Sequence, residues 1–231
     1  REGREMSGGV KLLGWPSEWG LSSIDPRSLE FQLFLKFSEV PFVFEHTTNP
    51  ELLPKGLPVL QHKDKQIEFP DIALYIEENF KKDIDSHLTK EQEHEMVILR
   101  VLVETQLENC RLYNWFSDEV NYNQLIKPTL SKTQPFPISI WFAGAQKTRS
   151  DERLSFEHHK NTEFYNVADD CYRILSNRLG SDAYFFGSTP TSLDATIAAH
   201  LAIHLYSPLP KPTLREILNT NHLNLVQYCD R

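Results

Sequence analysis

The stretch Tyr184–Leu205, YFFGSTPTSLDATIAAHLAIHL, limits the fold more than any other part of the chain. An apolar triplet, Tyr184-Phe185-Phe186, closes at Gly187 and gives way to a Ser188-Thr189-Pro190 turn. Thr191-Ser192-Leu193-Asp194 then reads as a helix start. A hydroxyl at the N-cap accepts a first-turn N–H, and an acid three residues later reaches back to the cap. The acid also suits the positive end of the helix dipole. From Ala195 to Leu205 nearly every residue is apolar. A helix that is apolar all round has no face for solvent and must be enclosed by other elements. The stretch therefore reads as the central helix of an all-helical domain.

Enclosing it takes chain and apolar surface, and both are present. The 231 residues allow one large domain or two small ones, and a 40% hydrophobic content supplies a core. The formal charge of -8 argues against a nucleic-acid binder, which presents a basic surface. Cys110, Cys171 and Cys229 lie far apart and are odd in number. They suit a reduced compartment and make no metal-ligand spacing. No apolar run reaches the roughly 18 residues that a membrane span needs.

In chain order, Val10–Leu13 predicts a first strand closed by Gly14, followed by a loop over 15–23. Asp25-Pro26 predicts a capped helix start, and Leu29, Leu33 and Phe37 recur at helical spacing until Pro41. Phe42–Glu45 reads as a second strand, Gly56–Leu60 as a third and Lys65–Phe69 as a fourth. Pro58 marks a strand start or an edge, since it cannot donate to a ladder. A helix over Asp71–Phe80 follows Pro70, and Lys81–Leu88 reads as a charged linker. Thr89-x-x-Gln92 is a second capping box. Met96, Leu99, Val103, Leu107 and Cys110 then step by 3, 4, 4 and 3, which predicts a rod to about Phe116. Another long helix is expected over Asp151–Leu179, stopped by Gly180. A last helix is expected over Leu214–Tyr228.

The order β-α-β, β-β-α, followed by helices, resembles a glutathione transferase. The resemblance implies a thioredoxin-like domain over 7–82 and an all-helical domain over 89–231. It also implies a cis-proline before the third strand, at Pro58. More specifically, the chain resembles the metaxin family, first type. Trp15, Trp19-Gly20-Leu21, Ser23 and Asp25 match its opening signature, and Gly56-Leu57-Pro58 matches its pre-strand turn. Pro135-Phe136-Pro137, Gly144 and Gln146 match its middle. Leu175-Ser176-x-Arg178-Leu179-Gly180 and Phe185-Phe186-Gly187 match its late segment. The resemblance covers roughly residues 10 to 228. It implies a subunit on the cytosolic face of the mitochondrial outer membrane that assists insertion of β-barrel proteins. Its implied partners are the second-type metaxin, the barrel-shaped core subunit of the sorting and assembly machinery and, less directly, motor adaptors. Family members usually carry a hydrophobic C-terminal anchor, and no such run occurs up to Arg231. Membrane attachment is thus expected through partners or through an anchor outside this sequence.

The rival reading is an active glutathione transferase or a glutathione-binding module. That enzyme needs a Tyr, Ser or Cys after the first strand to stabilise the thiolate, and only Ser22 and Ser23 stand there. Ser23 belongs to the family signature and reads as a turn or helix-entry residue. The enzyme also needs a serine before its third helix to grip the γ-glutamyl end, and here Phe69-Pro70 occupies that place. His200 and His204 share one helix face, but a catalytic zinc usually has three protein ligands and Leu201 replaces the usual glutamate. They read as core or interface histidines. No catalytic residue, cofactor or metal is assigned.

Ser117–Ser150 is an unusually long connection for a helical bundle. A short helix over Asp118–Ile126 is expected to end before Pro128. Beyond it, Pro135, Phe136, Pro137, Trp141 and Phe142 form a proline-broken apolar run. One reading folds the run over the core. The other presents it to a partner as aromatic anchors, the residues that dominate protein contacts. The sequence leaves both open.

Overall fold

A computed structural model of the protein describes residues 9–47, 56–155 and 163–231. Its first part holds four strands: β1 (Val10–Gly14), β2 (Phe42–His46), β3 (Val59–His62) and β4 (Lys65–Glu68). The order is β2-β1-β3-β4, with β1 and β2 parallel and the other pairs antiparallel. Parallel neighbours need a crossover, and helix α1 (Pro26–Phe37) supplies it. Asp25 caps α1 by accepting the Ser28 N–H at 2.8 Å. The helix lies close against β1 at Gly14, where a Cβ would meet Phe44 at 2.7 Å and the Ser28 hydroxyl at 2.9 Å. Leu57–Pro58 is cis and immediately precedes β3. Helix α2 (Ile72–Phe80) buries Ile72 and Ile76 in the core of the sheet.

The segment expected to be a linker is docked instead. The Asp85 carboxylate accepts the Ser192 N–H at 2.8 Å and the Ser192 hydroxyl at 2.5 Å, and Leu88 is buried. A charged composition hid these tertiary partners, which lie more than 100 residues away.

Helix α3 (Lys90–Leu102) begins at Thr89, with both bonds of the capping box formed. The rod continues through a π-helical turn (Val103–Leu107), α4 (Glu108–Leu112) and a second π-helical turn (Tyr113–Ser117). A π turn adds one residue and so rotates the face that follows. Leu99, Val103, Leu107 and Cys110 accordingly share a core with α8 (Glu163–Leu179). Leu112, Trp115 and Phe116 belong to a different core, which also takes Ile24 and Leu29 from the first part.

Four expectations are corrected. The connection over 117–150 is largely helical: α5 (Glu119–Asn121), a π-helical turn (Tyr122–Ile126), α6 (Lys127–Lys132) and α7 (Ser139–Ser155). Pro128 does not end the helix, because the wider π-helical turn that runs directly into α6 accommodates the lost N–H and the ring. Asp151 lies near the end of α7 and does not start the next rod, while residues 156–162 of the expected helix lie outside the described part. The last helix divides into α10 (Thr213–Asn221) and α11 (Leu223–Cys229) at His222, whose ring nitrogen lies 2.8 Å from Asp169.

Helix α9 (Ser192–Tyr206) runs through the centre, with Leu193, Ile197 and Leu201 fully buried. Its Asp194 is also fully buried and accepts from Phe185 N (3.0 Å), Thr191 N (2.8 Å), the Thr191 hydroxyl (2.6 Å) and the Tyr228 hydroxyl (3.1 Å).

Candidate functional site

A cavity of about 590 Å³ lies between the sheet part and the helices. Trp15 and Arg27 come from the entry to α1, Leu57 from the turn before β3, Trp141 and Arg149 from α7, and His200 from α9. Trp15 and Phe142 form the aromatic wall, with ring centroids 5.7 Å apart.

A charged cluster lies beneath it. Glu108 accepts two bonds from Arg111, at 2.6 and 2.8 Å, and the Arg111 guanidinium covers the Trp115 ring at 4.4 Å. Burial opposes ionisation of Glu108, but the paired Arg111 holds its carboxyl down to about 2. The same carboxylate keeps Arg111 protonated against its burial. Asp25, capping α1 from the far side, is pushed up by burial. His200 Nδ1 stands 3.8 Å from Glu108 and makes no hydrogen bond. Burial lowers its pKa to about 4, so at neutral pH the contact is between a neutral ring and a carboxylate. His204 is lowered further, to about 3, and its Nδ1 meets the Tyr172 hydroxyl at 2.8 Å. Both histidines are interior groups, and among the described residues no group of three or more His, Cys, Asp or Glu could hold a metal ion.

Sequence reasoning missed this cluster. Glu108 and Arg111 flank the predicted stripe at Leu107 and Cys110, so charges at core-facing spacing were the available signal.

The positions that the resemblance assigns to binding and activating a thiol differ in their surroundings. The Ser23 hydroxyl is buried and accepts the Asp25 N–H at 3.2 Å, while Ser22 is exposed. Phe69 stacks edge-on against Phe31 at 5.8 Å and lies under the Arg27 guanidinium at 4.4 Å. An aromatic ring thus stands at the position where the resemblance expects a serine.

The predicted aromatic run is split by the structure. Pro135, Phe136, Pro137 and Trp141 are exposed, Phe136 to 81% and Trp141 to 58%. Phe142 is 5% exposed and belongs to the core, so it is withdrawn as an interface residue. The cause is helical geometry: adjacent positions on α7 point about 100° apart, so Phe142 faces inward while Trp141 faces out.

A mixed four-stranded sheet, a cis-proline before its third strand and a buried-box helix at the centre of a helical half define a glutathione-transferase-like protein. The structure superposes on a glutathione transferase from Phanerochaete chrysosporium with a TM-score of 0.66, at 13% identity, covering 96% of each chain. A second transferase from the same organism gives 0.64 at 15% identity, covering 96% of this chain and 95% of that one. Residues 168–231 match the family described as glutathione S-transferase, C-terminal domain. Residues 28–147, just over half the chain, match the family described as outer mitochondrial membrane transport complex protein. Metaxin-1 of Mus musculus is 32% identical over 235 residues, 97% of this chain and 74% of the relative. Metaxin-3 of Danio rerio is 28% identical over 236 residues, 97% and 75%. The chain belongs to the metaxin family. Membership places it among outer mitochondrial membrane transport components.

Proposed function

We propose that this protein is a non-catalytic subunit at the cytosolic face of the mitochondrial outer membrane, where it assists import and assembly of β-barrel proteins. Its partners in this reading are the second-type metaxin and the barrel-shaped core subunit of the sorting and assembly machinery. The two domains, 7–82 and 89–231, serve as a binding scaffold, and Pro135, Phe136, Pro137 and Trp141 form the surface offered to the membrane assembly. The observation that carries the non-catalytic part is Phe69, stacked on Phe31 and covered by Arg27 where a γ-glutamyl group would need a hydroxyl. A transferase fold with its ligand grip filled by a ring keeps the scaffold without the chemistry, since function lies in the site and not in the fold.

Two measurements test this. Retention of outer-membrane proteins from detergent extracts on the immobilised protein should recover the second metaxin and the barrel subunit, and failure to recover either would count against the assembly role. A glutathione conjugation assay should show no turnover above the uncatalysed rate. Turnover that disappears in Ser22→Ala or Ser23→Ala would make the protein an enzyme.

A further inference from the structure

Among the described residues, the exposed large hydrophobic side chains gather in two main places, and their surroundings differ in charge. Val97, Ile98 and Val101 stand on α3, whose exposed first turn carries Glu91 and Glu93 beside Lys90. Phe136, Ile140 and Trp141, exposed to 81%, 71% and 58%, stand at the corner between α6 and α7. Around this corner the chain reverses its overall character. Residues 121–150 contain no Asp or Glu but hold Lys127, Lys132, Lys147 and Arg149, in a protein with 32 acidic residues and a formal charge of -8.

Lys147 is engaged within the fold, with Asp151 at 3.5 Å and the Tyr122 ring at 5.3 Å. Lys127, Lys132 and Arg149 are exposed, and none has an acidic partner among the described residues. Arg149 lies just over two helical turns beyond Trp141 and about 80° around α7 from it, and Lys132 ends α6 four residues before Phe136.

The corner is held in place. The carbonyls of Pro135, Pro137 and Ile138 accept from Ser139, Ile140 and Phe142 at 3.0–3.2 Å, and buried Phe142 and Ala143 seat the helix behind it. The apolar tips therefore stand outward on a fixed base. No helix among the described residues is long and apolar enough to cross a membrane, so what this part can present to a bilayer is a surface.

We propose that the Phe136–Ile140–Trp141 corner is a bilayer-contact site. The three side chains enter the interfacial zone of a membrane containing anionic lipid, and Lys127, Lys132 and Arg149 lie against its phosphates. Trp and Phe are suited to that zone because an apolar ring can be buried at headgroup depth. Basic side chains beside it gain from a negative surface and bury their stems along the apolar zone. The acid-flanked patch on α3 would be repelled by the same surface. This inference rests on the outer-membrane location proposed above, and it concerns lipid, where that proposal concerns protein partners.

The test uses the whole chain and flotation with vesicles of equal parts phosphatidylcholine and phosphatidylserine, beside phosphatidylcholine alone. The protein should float with the mixed vesicles and much less with the neutral ones, with a blue shift of tryptophan emission that Trp141→Ser removes. Phe136→Ser should lower partitioning about tenfold, and reversing Lys127, Lys132 and Arg149 to glutamate by well over about a hundredfold. Thermal midpoints should be unchanged in all three variants. Equal flotation with both vesicle types, or flotation that survives both the Phe136 and the charge-reversal variants, would overturn the proposal. So would corner variants that float normally yet lose outer-membrane proteins in detergent, which would mark the corner as a protein interface. Capture of those proteins in detergent is read separately, so failure of the assembly role leaves the vesicle result standing.

Discussion

Helices α3 and α9 begin with the same four-residue device in opposite surroundings. At α3, Thr89 is exposed, the Gln92 side chain accepts the Thr89 N–H at 2.9 Å, and the Thr89 hydroxyl accepts the Gln92 N–H at 3.3 Å. At α9, Thr191 and Asp194 are both fully buried, and the carboxylate also gathers Phe185 and Tyr228. Water can replace a lost bond at the first box but not at the second. One motif is thus a local cap in one place and a tertiary junction in the other, and burial decides which.

The sharpest way to break this comparison is Asp194→Ala. It takes the side-chain acceptor from the Phe185 and Thr191 N–H groups and the Thr191 hydroxyl in the interior, leaving the Tyr228 hydroxyl only the carbonyl of residue 194, and should cost about 3–5 kcal/mol in urea unfolding. A cost similar to that of an exposed cap would refute the junction reading.

Acid should act next most strongly, through the same buried helix. His200 and His204 titrate near 4 and 3 when folded, against an ordinary 6.5, because burial disfavours their charged forms. The unfolded chain binds those protons first, so stability falls as pH drops below 6.5 toward 4. Glu30 acts in the opposite sense: burial raises it to about 7, and its contribution grows as pH falls from 7 toward 4.5. Asp25, also raised by burial, acts in the same sense as Glu30, so the two histidines leave a smaller net fall in the urea midpoint between pH 7.5 and 5, worth ~1–2 kcal/mol of stability. Glu30→Gln should steepen the fall, and a shallower one would show that Glu30 does not titrate as described.

Tyr228→Phe removes one donor to Asp194 and keeps the ring, which packs edge-on to Phe185 at 5.5 Å. A loss of about 1–2 kcal/mol is expected in the same unfolding measurement, since one bond of a multiply satisfied acceptor is removed. Thr89→Ala should be the smallest, at about 1 kcal/mol or less, and salt should hardly alter it. If Thr89→Ala proves as costly as Tyr228→Phe, solvent exposure is not what separates the boxes.

Local devices were the legible part of this sequence. Thr89-x-x-Gln92, Thr191-x-x-Asp194, the stripe from Met96 to Cys110 and the alternation of strands with helices all act over a few residues, and each stands where expected. Helix α7 was not legible, because Pro135, Pro137 and Gly144 look like breaks, yet both prolines precede the helix and Gly144 sits exposed within it. The site was legible only in what it lacks, a hydroxyl at Phe69. Its charged floor joins Asp25, Glu108, Arg111 and His200 from three distant segments, and no spacing rule connects them.

The Tyr228 tether also bears on the order in which the protein is made. Asp194 leaves the ribosome well before Tyr228, 34 residues later, and a chain grows from its N-terminus. Until the last helix arrives, the central carboxylate lacks one of its partners and the apolar flank of α9 lacks Leu225 and Tyr228. The sheet part carries its own cluster of apolar residues and can assemble early, with only Ala195 supplied from later in the chain. Synthesis therefore passes through a stage in which a finished sheet carries an unsealed helical half, and that is the stage at which a chaperone has most to cover.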